Sequence, residues 1–138
     1  MLSSSRFMVA VHALSVIARL GSKGPVCSSI VAESVNTNPV VIRRLMRDLE
    51  KASLIRSVTG RSGGFSLSRD AGRITLADVY KAVEDESIFR MHKLDPKAKC
   101  PIGAAITKVI AEPLRSAERA MESALANTSI RDIAVQIA

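Results

Sequence analysis

Aromatic residues and cysteines are scarce in this chain of 138 residues, which has no Trp, one Tyr, three Phe and two Cys. Proteins usually bind single-stranded RNA by stacking its bases on exposed aromatic rings, so the composition argues against an RNA-binding surface. Cys27 and Cys100 are too few for a disulfide scaffold and lack the close spacing of a zinc knuckle. Their number favours a reducing, cytoplasmic setting.

Catalytic motifs and membrane segments are missing as well. The sequence has neither a phosphate-binding loop nor a dinucleotide fingerprint, and no histidine lies near a nucleophile motif, so an enzyme is not expected. No apolar run approaches the roughly 20 residues that a membrane span requires. Residues 7–18 are as apolar as the core of a secretory signal. A phased polar stripe that includes Ser5 and Arg19 instead favours a largely buried helix over residues 4–20.

Acidic residues are few in the first half of the chain. Residues 1–67 hold nine basic and three acidic side chains, a net charge of +6, whereas residues 68–138 hold eleven and ten. Hydrophobic residues make up 47% of the chain, which is enough for a compact core. A positive N-terminal half suits a nucleic acid or an anionic membrane as partner.

Two short helices joined by a tight polar turn are predicted next. Ser28 or Ser29 can cap a helix over residues 30–35. Asn38 is a good N-cap and precedes a proline that suits the first helical position, which predicts a helix over residues 39–52. This arrangement is typical of a helix-turn-helix.

A β-hairpin is predicted to follow the third helix. Residues 55–59 and 65–68 have the pattern of two strands, and the glycine-rich residues 60–64 form the turn between them. Arg61 gives the hairpin a basic tip.

The second half of the chain predicts three more helices. Thr75 and Asp78 have the spacing of a capping box at the start of a helix that ends at Val83. Residues 84–100 lack periodicity, and a long helix is expected over residues 101–126. Its apolar side comprises Ile102, Ile106, Val109, Ile110, Leu114, Ala117, Met121 and Leu125. Ser129 and Asp132 form a second capping box before a short last helix.

The third helix has one apolar face and one cationic face. The predicted core face comprises Val41, Ile42, Leu45, Leu49 and Ala52, and the outward face comprises Val40, Arg43, Arg44, Arg47, Glu50 and Lys51. On an isolated helix such charges would be read as an ordinary solvated face. As the second helix of a helix-turn-helix, however, this helix is expected to enter the DNA major groove.

These positions give a set of predicted DNA contacts. The residues expected to read bases are Asn38, Val40, Arg43 and Arg44. The residues expected mainly to hold phosphates are Arg47, Lys51, Arg56 and Arg61, with Arg61 also able to reach the minor groove. The alternative is a winged helix used only for protein–protein contact, against which the cationic face argues.

Several segments resemble the Rrf2 family of winged helix-turn-helix transcription regulators, the IscR, NsrR and CymR type. The segments are Gly24-Pro25-Val26, residues 54–68 (LIRSVTGRSGGFSLS) and residues 74–79 (ITLADV). The resemblance implies a mainly α-helical fold with a β-hairpin wing and a homodimer held by the long C-terminal helix. It also implies a near-palindromic DNA operator as the partner.

The resemblance also suggests how the chain is divided. Residues 1–83 would form the winged helix-turn-helix domain, residues 84–100 a linker or sensor loop, and residues 101–138 the dimerisation helix with a last helix. The sequence departs from the family at the wing, where Thr59 replaces the basic residue that many members place before the first glycine, and Arg61 follows that glycine.

A second departure concerns cysteine. Cluster-binding members of the family have three cysteines in the loop before the long helix, whereas this loop contains only Cys100. An iron–sulfur cluster, or any other cofactor or metal, is therefore not expected, and the chain resembles a subgroup without the three-cysteine motif. Cys100 precedes a helix and is flanked by Lys97 and Lys99, which favours its thiolate. It is either a redox-sensing thiol, with Cys27 as its only possible partner in the chain, or an idle cysteine.

Together these features predict a cytoplasmic, homodimeric, sequence-specific DNA-binding transcription regulator. A repressor is the expected form, responding to a redox or small-molecule signal.

Overall fold

The computed structural model describes residues 5–85, 87–94 and 99–137. Its elements in chain order are α1 (Arg6–Leu20), α2 (Ser28–Val35), α3 (Pro39–Lys51), β1 (Ile55–Val58), β2 (Gly64–Leu67), α4 (Leu76–Val83), α5 (Pro101–Leu125) and α6 (Ile130–Gln136), with short 3₁₀ turns at Gly21–Lys23 and Ala71–Arg73. The mainly α-helical fold with one antiparallel hairpin confirms the predicted fold class. Within the described residues, no helix is both long enough and apolar enough to cross a membrane.

Helix α1 lies at the centre of the core. Leu14 and Ile17 on this helix are at most 1% exposed, and α1 packs against α2, α3, α4, α6 and β2. Its one buried polar side chain, Ser15, donates a hydrogen bond to the Val11 carbonyl 2.8 Å away, which satisfies the hydroxyl inside the helix. The prediction of a largely buried first helix is confirmed for the part that begins at Arg6.

Helix α3 buries a different set of residues from the predicted one. Ile42, Leu45 and Leu49 are buried as expected, and Met46 is fully buried beside them. Val41 is 48% exposed, and Ala52 is exposed at the end of the helix, so assigning these two to the core was wrong. The buried face is rotated toward Met46 because α3 packs against α2, α4 and β1, and not against α1 alone.

The predicted cap of α2 was also wrong. Ser28 and Ser29 lie in the first turn of the helix, and the N-cap position belongs to Cys27, whose side chain makes no capping hydrogen bond. The helix begins two residues earlier than its apolar pattern suggested.

The two predicted capping boxes are confirmed, and they lie side by side. Thr75 and Asp78 cap α4, and Ser129 and Asp132 cap α6. In each box, each of the two side chains accepts a hydrogen bond from the backbone amide of the other residue. Thr75 and Ser129 form an isolated antiparallel bridge. This bridge joins the start of α6 to the start of α4, and Ile130 is completely buried in the same core as α1.

Helix α5 is the predicted long helix, and it continues without a break through Pro113. In the described chain, none of its 25 residues is buried. Ile102 is 72% exposed and Val109 69% exposed, although both lie on the apolar side. The apolar side of α5 is therefore uncovered at Ile102 and Val109, whereas Ile106, Leu114, Met121 and Leu125 are half-buried.

Candidate nucleic-acid interface

The start of α3 is fixed by the turn that precedes it. The Asn38 side-chain oxygen accepts a hydrogen bond from the Val40 amide at 2.8 Å, and Pro39 occupies the first helical position, as predicted. Asn36 ends α2 in the left-handed conformation, with φ of 64°. The turn therefore sets both the direction of α3 and the exposure of its first residues.

The outward face of α3 carries four exposed cations. Arg43, Arg44, Arg47 and Lys51 are all exposed, and none of them makes an ion pair or hydrogen bond within the described part of the chain. Val40 is 44% exposed at the N-terminal end of the same face. Side chains without internal partners keep their donors available for phosphate oxygens and base edges.

The two carboxylates of α3 both bind partners on other elements. Asp48 pairs with Arg6 of α1 at 2.7 Å. Glu50 accepts a hydrogen bond from the Ser57 amide of β1 at 3.1 Å. The sequence placed Glu50 on the outward face without a function, whereas the structure shows that it ties the wing to α3.

A groove of about 530 Å³ runs between the N-terminal end of α1 and α3. Arg44, Arg47 and Lys51 meet along it, and the exposed side chain of Val41 forms part of its wall. Since Arg6 in the same groove is paired with Asp48, the net positive charge of the groove comes from α3.

The wing is built as predicted. Ile55 lies opposite Leu67 and Val58 opposite Gly64, and each strand is within one residue of its predicted bounds. Gly60 has φ of 104°, so the turn requires a residue without a side chain at this position. Arg61 lies exposed at the tip beside it.

The wing is also docked onto the residues before α2, which the sequence did not predict. The Val26 amide donates to the Phe65 carbonyl at 2.9 Å, and the Phe65 amide donates to the Val26 carbonyl at 2.8 Å. A Cβ at Gly64 would lie 2.4 Å from the Val26 carbonyl oxygen. The glycine therefore permits the close approach that fixes the wing relative to the helix-turn-helix.

Arg56 lies apart from the other predicted contacts. It is exposed on β1 opposite Ser66, and it lines a cavity with residues of α1, β2 and α6 to which α3 contributes no residue. The structure thus brings Arg44, Arg47 and Lys51 together and places Arg56 on a different surface.

The two predicted redox cysteines lie at the starts of different helices. The Cys27 thiol is half-buried, and a hydrogen bond with the Ser29 hydroxyl at 3.1 Å is the main cause that lowers its pKa. Cys100 is exposed, and the backbone amides of Gly103 and Ile102 at the start of α5 lower its pKa. Lys97 lies outside the described residues.

The sequence and fold match one family over nearly the whole chain. The profile of the Rrf2 family, described as iron-dependent transcriptional regulators, matches residues 3–136. The chain belongs to the Rrf2 family. YwnA of Bacillus subtilis (strain 168), provisionally named an HTH-type transcriptional regulator, is 43% identical over 131 residues, which are 94% of this chain and 95% of YwnA. IscR of Xenorhabdus nematophila is 38% identical over 85 residues, covering 62% of this chain and 51% of IscR.

Solved structures agree with this Rrf2 assignment. A crystal structure provisionally described as that of a DNA-binding protein is 40% identical, has a TM-score of 0.74 and covers 94% of this chain and 98% of its own. A regulator from Lactobacillus plantarum, also provisionally described, has a TM-score of 0.80 at 23% identity, covers 96% of this chain and 89% of its own, and supports the fold. This Rrf2 protein is therefore a transcriptional regulator of the HTH type with a winged-helix DNA-binding fold.

The family description names iron, but the donor set of this chain does not fit an iron–sulfur cluster. A cluster takes mainly thiolate ligands, and the complete sequence holds two cysteines at the starts of two different helices. Among the described residues, no group of three His, Cys, Asp or Glu side chains is placed to hold a metal ion. Asp95, a further oxygen donor in the loop, lies outside those residues.

Proposed function

We propose that this Rrf2 protein is a repressor that binds a near-palindromic DNA operator as a homodimer. The observation on which the proposal depends is the outward face of α3. Its four cations have no partner among the residues that the structure describes, and the N-terminus of α3 is fixed by the Asn38 cap. In a helix-turn-helix this end of the second helix reads the major groove.

The roles of the individual residues follow from their positions. Asn38, Val40, Arg43 and Arg44 lie within the first two turns of α3 or at its cap, and they read base edges. Three further cations hold phosphates on the flanks: Arg47, Lys51 and Arg61. Arg56 is the weakest of the predicted contacts, because the cavity that it lines contains no residue of α3.

Selection of bound sequences from random double-stranded DNA tests this function. Enrichment of a palindrome with two equal half-sites is the expected result. No enrichment, even at low salt where electrostatic binding is strongest, would favour a protein–protein interaction module instead.

The proposed homodimer forms through α5. On the apolar side of this helix, Ile102, Val109 and Ile110 are exposed, and a second copy of the same helix presents the matching apolar surface. A dimer also supplies the two recognition helices that a palindrome requires.

A charge on the apolar side of α5 should separate the protomers. Ile110→Glu, or the same change at Ile106, is expected to give monomers in sedimentation velocity and to abolish high-affinity operator binding. Lys108→Glu is the matched control, since Lys108 is exposed on the same helix and projects about 160° away from Ile110 on a helical wheel. An Ile110→Glu variant that remains dimeric would place the interface elsewhere.

We also propose that the protein acts in the cytoplasm without enzymatic activity and without a bound cofactor, and that it responds to a redox or small-molecule signal. The support for a redox signal is that hydrogen bonds lower the pKa of both thiols, which raises their thiolate fractions. Peroxide would oxidise the Cys100 thiolate to a sulfenic acid and be reduced to hydroxide.

Operator affinity with and without peroxide tests this signal. The affinity of the wild type is expected to change, and that of Cys100→Ser is not. If Cys27→Ser alone removes the response, Cys27 is the sensor. If peroxide changes the operator affinity of neither the wild type nor the variants, a small ligand is the signal. An anaerobically purified protein that absorbs visible light would contradict the absence of a cluster.

A further inference from the structure

A cavity of about 750 Å³ lies at the C-terminal end of α1, between the base of the wing and α6. Four arginines from four separate parts of the chain line it: Arg19, Arg56, Arg69 and Arg131. Asp70 is the only acidic residue among its lining residues, which gives this set a net charge of +3. We call this the arginine cavity.

Three of the four arginines are held in place by the protein. Arg19 donates to the Ala134 and Ile137 carbonyls at the end of α6. Arg131 pairs with Asp70. Arg69 pairs with Asp78, 3.2 Å away. These contacts fix the positions of the guanidinium groups without removing their remaining donors, because each guanidinium has five N–H groups.

The carboxylate in the arginine cavity does not neutralise it. The Gly72 amide is the main cause that lowers the pKa of Asp70, and the Arg131 guanidinium lowers it further, so this group is ionised at neutral pH. Its charge is already matched by Arg131. The charges of Arg19 and Arg56 are left without an anionic partner among the described residues.

Arg56 differs from the other three because it makes no hydrogen bond or ion pair within the described part of the chain. Clustered like charges repel one another, and a concave surface of one sign concentrates the field and attracts counter-ions. Guanidinium groups match carboxylate and phosphate oxygens in a two-pronged geometry. Apolar residues also line the cavity, among them Ile17, Leu67 and Val135.

We infer that the arginine cavity binds a small anion that carries a carboxylate or phosphate group. Arg56 supplies the donor that is free to close on the anion. Binding here does not depend on the proposed operator, since neither α3 nor the wing tip contributes a residue to the cavity.

Occupancy of the arginine cavity would join the base of the wing to the rest of the domain. Arg56 lies on β1 and Ser66 on β2, whereas Arg19 and Arg131 belong to α1 and α6. A bound anion therefore holds the wing against these helices, and any effect on DNA affinity must be matched by an equal effect of DNA on anion affinity.

The first experiment measures binding of inorganic phosphate and of citrate to the full chain without DNA. Chloride at matched ionic strength corrects for screening, and amide shifts in NMR spectra locate the site. We expect saturable shifts at Gly21, Ser66, Ala71 and Ala134 at millimolar concentrations of at least one anion. Comparison of phosphate with citrate shows which oxyanion is preferred. Shifts confined to α3, or no saturable binding of either anion, overturn the inference.

Substitution of Arg56 is the second experiment. Arg56→Gln should raise the dissociation constant of the anion at least tenfold. Arg56→Lys should give a value between those of Arg56→Gln and the wild type, because lysine keeps the charge but loses the two-pronged geometry of the guanidinium. The fold should survive, since Arg56 has no internal partner to lose. Lys108→Gln, which removes one charge from α5, should change the constant less than twofold. Equal binding by wild type and Arg56→Gln overturns the inference.

Competition with a short random-sequence DNA duplex tests whether the arginine cavity holds DNA phosphates instead of a small anion. If the duplex displaces phosphate and Arg56→Gln weakens duplex binding as strongly as phosphate binding, the arginines hold the DNA backbone and the small-anion inference is wrong. If the duplex and phosphate bind at the same time, the small-anion inference stands. Because the anion is measured alone, failure of operator selection and failure of anion binding are separate results.

Discussion

Replacing Arg47 by Gln should weaken DNA binding by the same factor for operator and for random sequence, and it should make binding less sensitive to salt. Arg47 is exposed, has no partner among the described residues and lines the groove between α1 and α3. Its loss leaves the fold intact. It lies beyond the first two turns of α3, where a long side chain meets the backbone of the duplex and not the base edges.

The size of the effect follows from counterion release. Each phosphate contact contributes about −0.9 to the slope of log K against log salt concentration on duplex DNA. The proposed dimer loses two contacts, so the slope should fall in magnitude by about 1.8. Between 50 and 200 mM salt, the wild type should therefore lose about 12-fold more affinity than the variant.

Fluorescence anisotropy with labelled operator and scrambled duplexes at a series of salt concentrations measures this difference. Arg43→Gln should behave differently, lowering the preference for operator by about 1 to 3 kcal/mol in each half-site, because one bidentate base contact is lost there. Lys108→Gln is the control for a general change in charge. An Arg47 variant that keeps the wild-type slope, or that selects a different sequence, would refute the assignment to phosphate.

Three further predictions concern the parts that hold the interface in place. Asn38→Ala should lower the free energy of unfolding by about 1 kcal/mol in urea titrations, with Asn38→Ser close to wild type, because only the serine restores the cap. Gly64→Ala should lower the free energy of unfolding more than Gly60→Ala does. Both glycines have positive φ, but of the two only Gly64 would place a Cβ against backbone atoms. Equal losses of stability would contradict this. The Ser129 amide lowers the pKa of Asp132, so this carboxylate stabilises the fold at neutral pH and its contribution disappears as pH falls through the lowered pKa. Asp132→Asn should therefore reduce stability at pH 7 and flatten its decline in acid, as followed by circular dichroism.

Local signals predicted most of the fold because each one acts within a few residues. The Asn38 cap, the two capping boxes and the glycine-rich turn depend on side chains that bond backbone close by in sequence. The errors at Val41 and Met46 have a different cause. A helical wheel shows that a face is apolar but not how wide a face its neighbours cover, and α3 is covered by α2, α4 and β1.

Contacts between distant segments could not be predicted from spacing. The bridge between Val26 and Phe65 joins residues whose sequence contains no pairing signal, and the four arginines of the arginine cavity come from four separate segments. The fold alone brings these groups together. The wing's fixed position and the cavity's charge therefore emerge only from tertiary structure.

The charge of the recognition face also depends on contacts that the sequence does not reveal. On an isolated helix, Asp48 would pair with Arg44 four residues before it or Lys51 three residues after it. In the structure Asp48 pairs with Arg6 of α1 instead, so both of those cations remain without a partner in the described segments.

Glu50 repeats this arrangement on the other side of α3. Arg47 lies three residues before it and is the partner that helical spacing would predict. Glu50 instead accepts a hydrogen bond from the Ser57 amide, which ties the wing to the helix. Each carboxylate of α3 thus stabilises a neighbouring element and, for the same reason, leaves the adjacent cations available. The packing of α1 and of the wing against α3 determines how positive the DNA-binding face is, and a mutation at Arg6 would change that face without touching DNA.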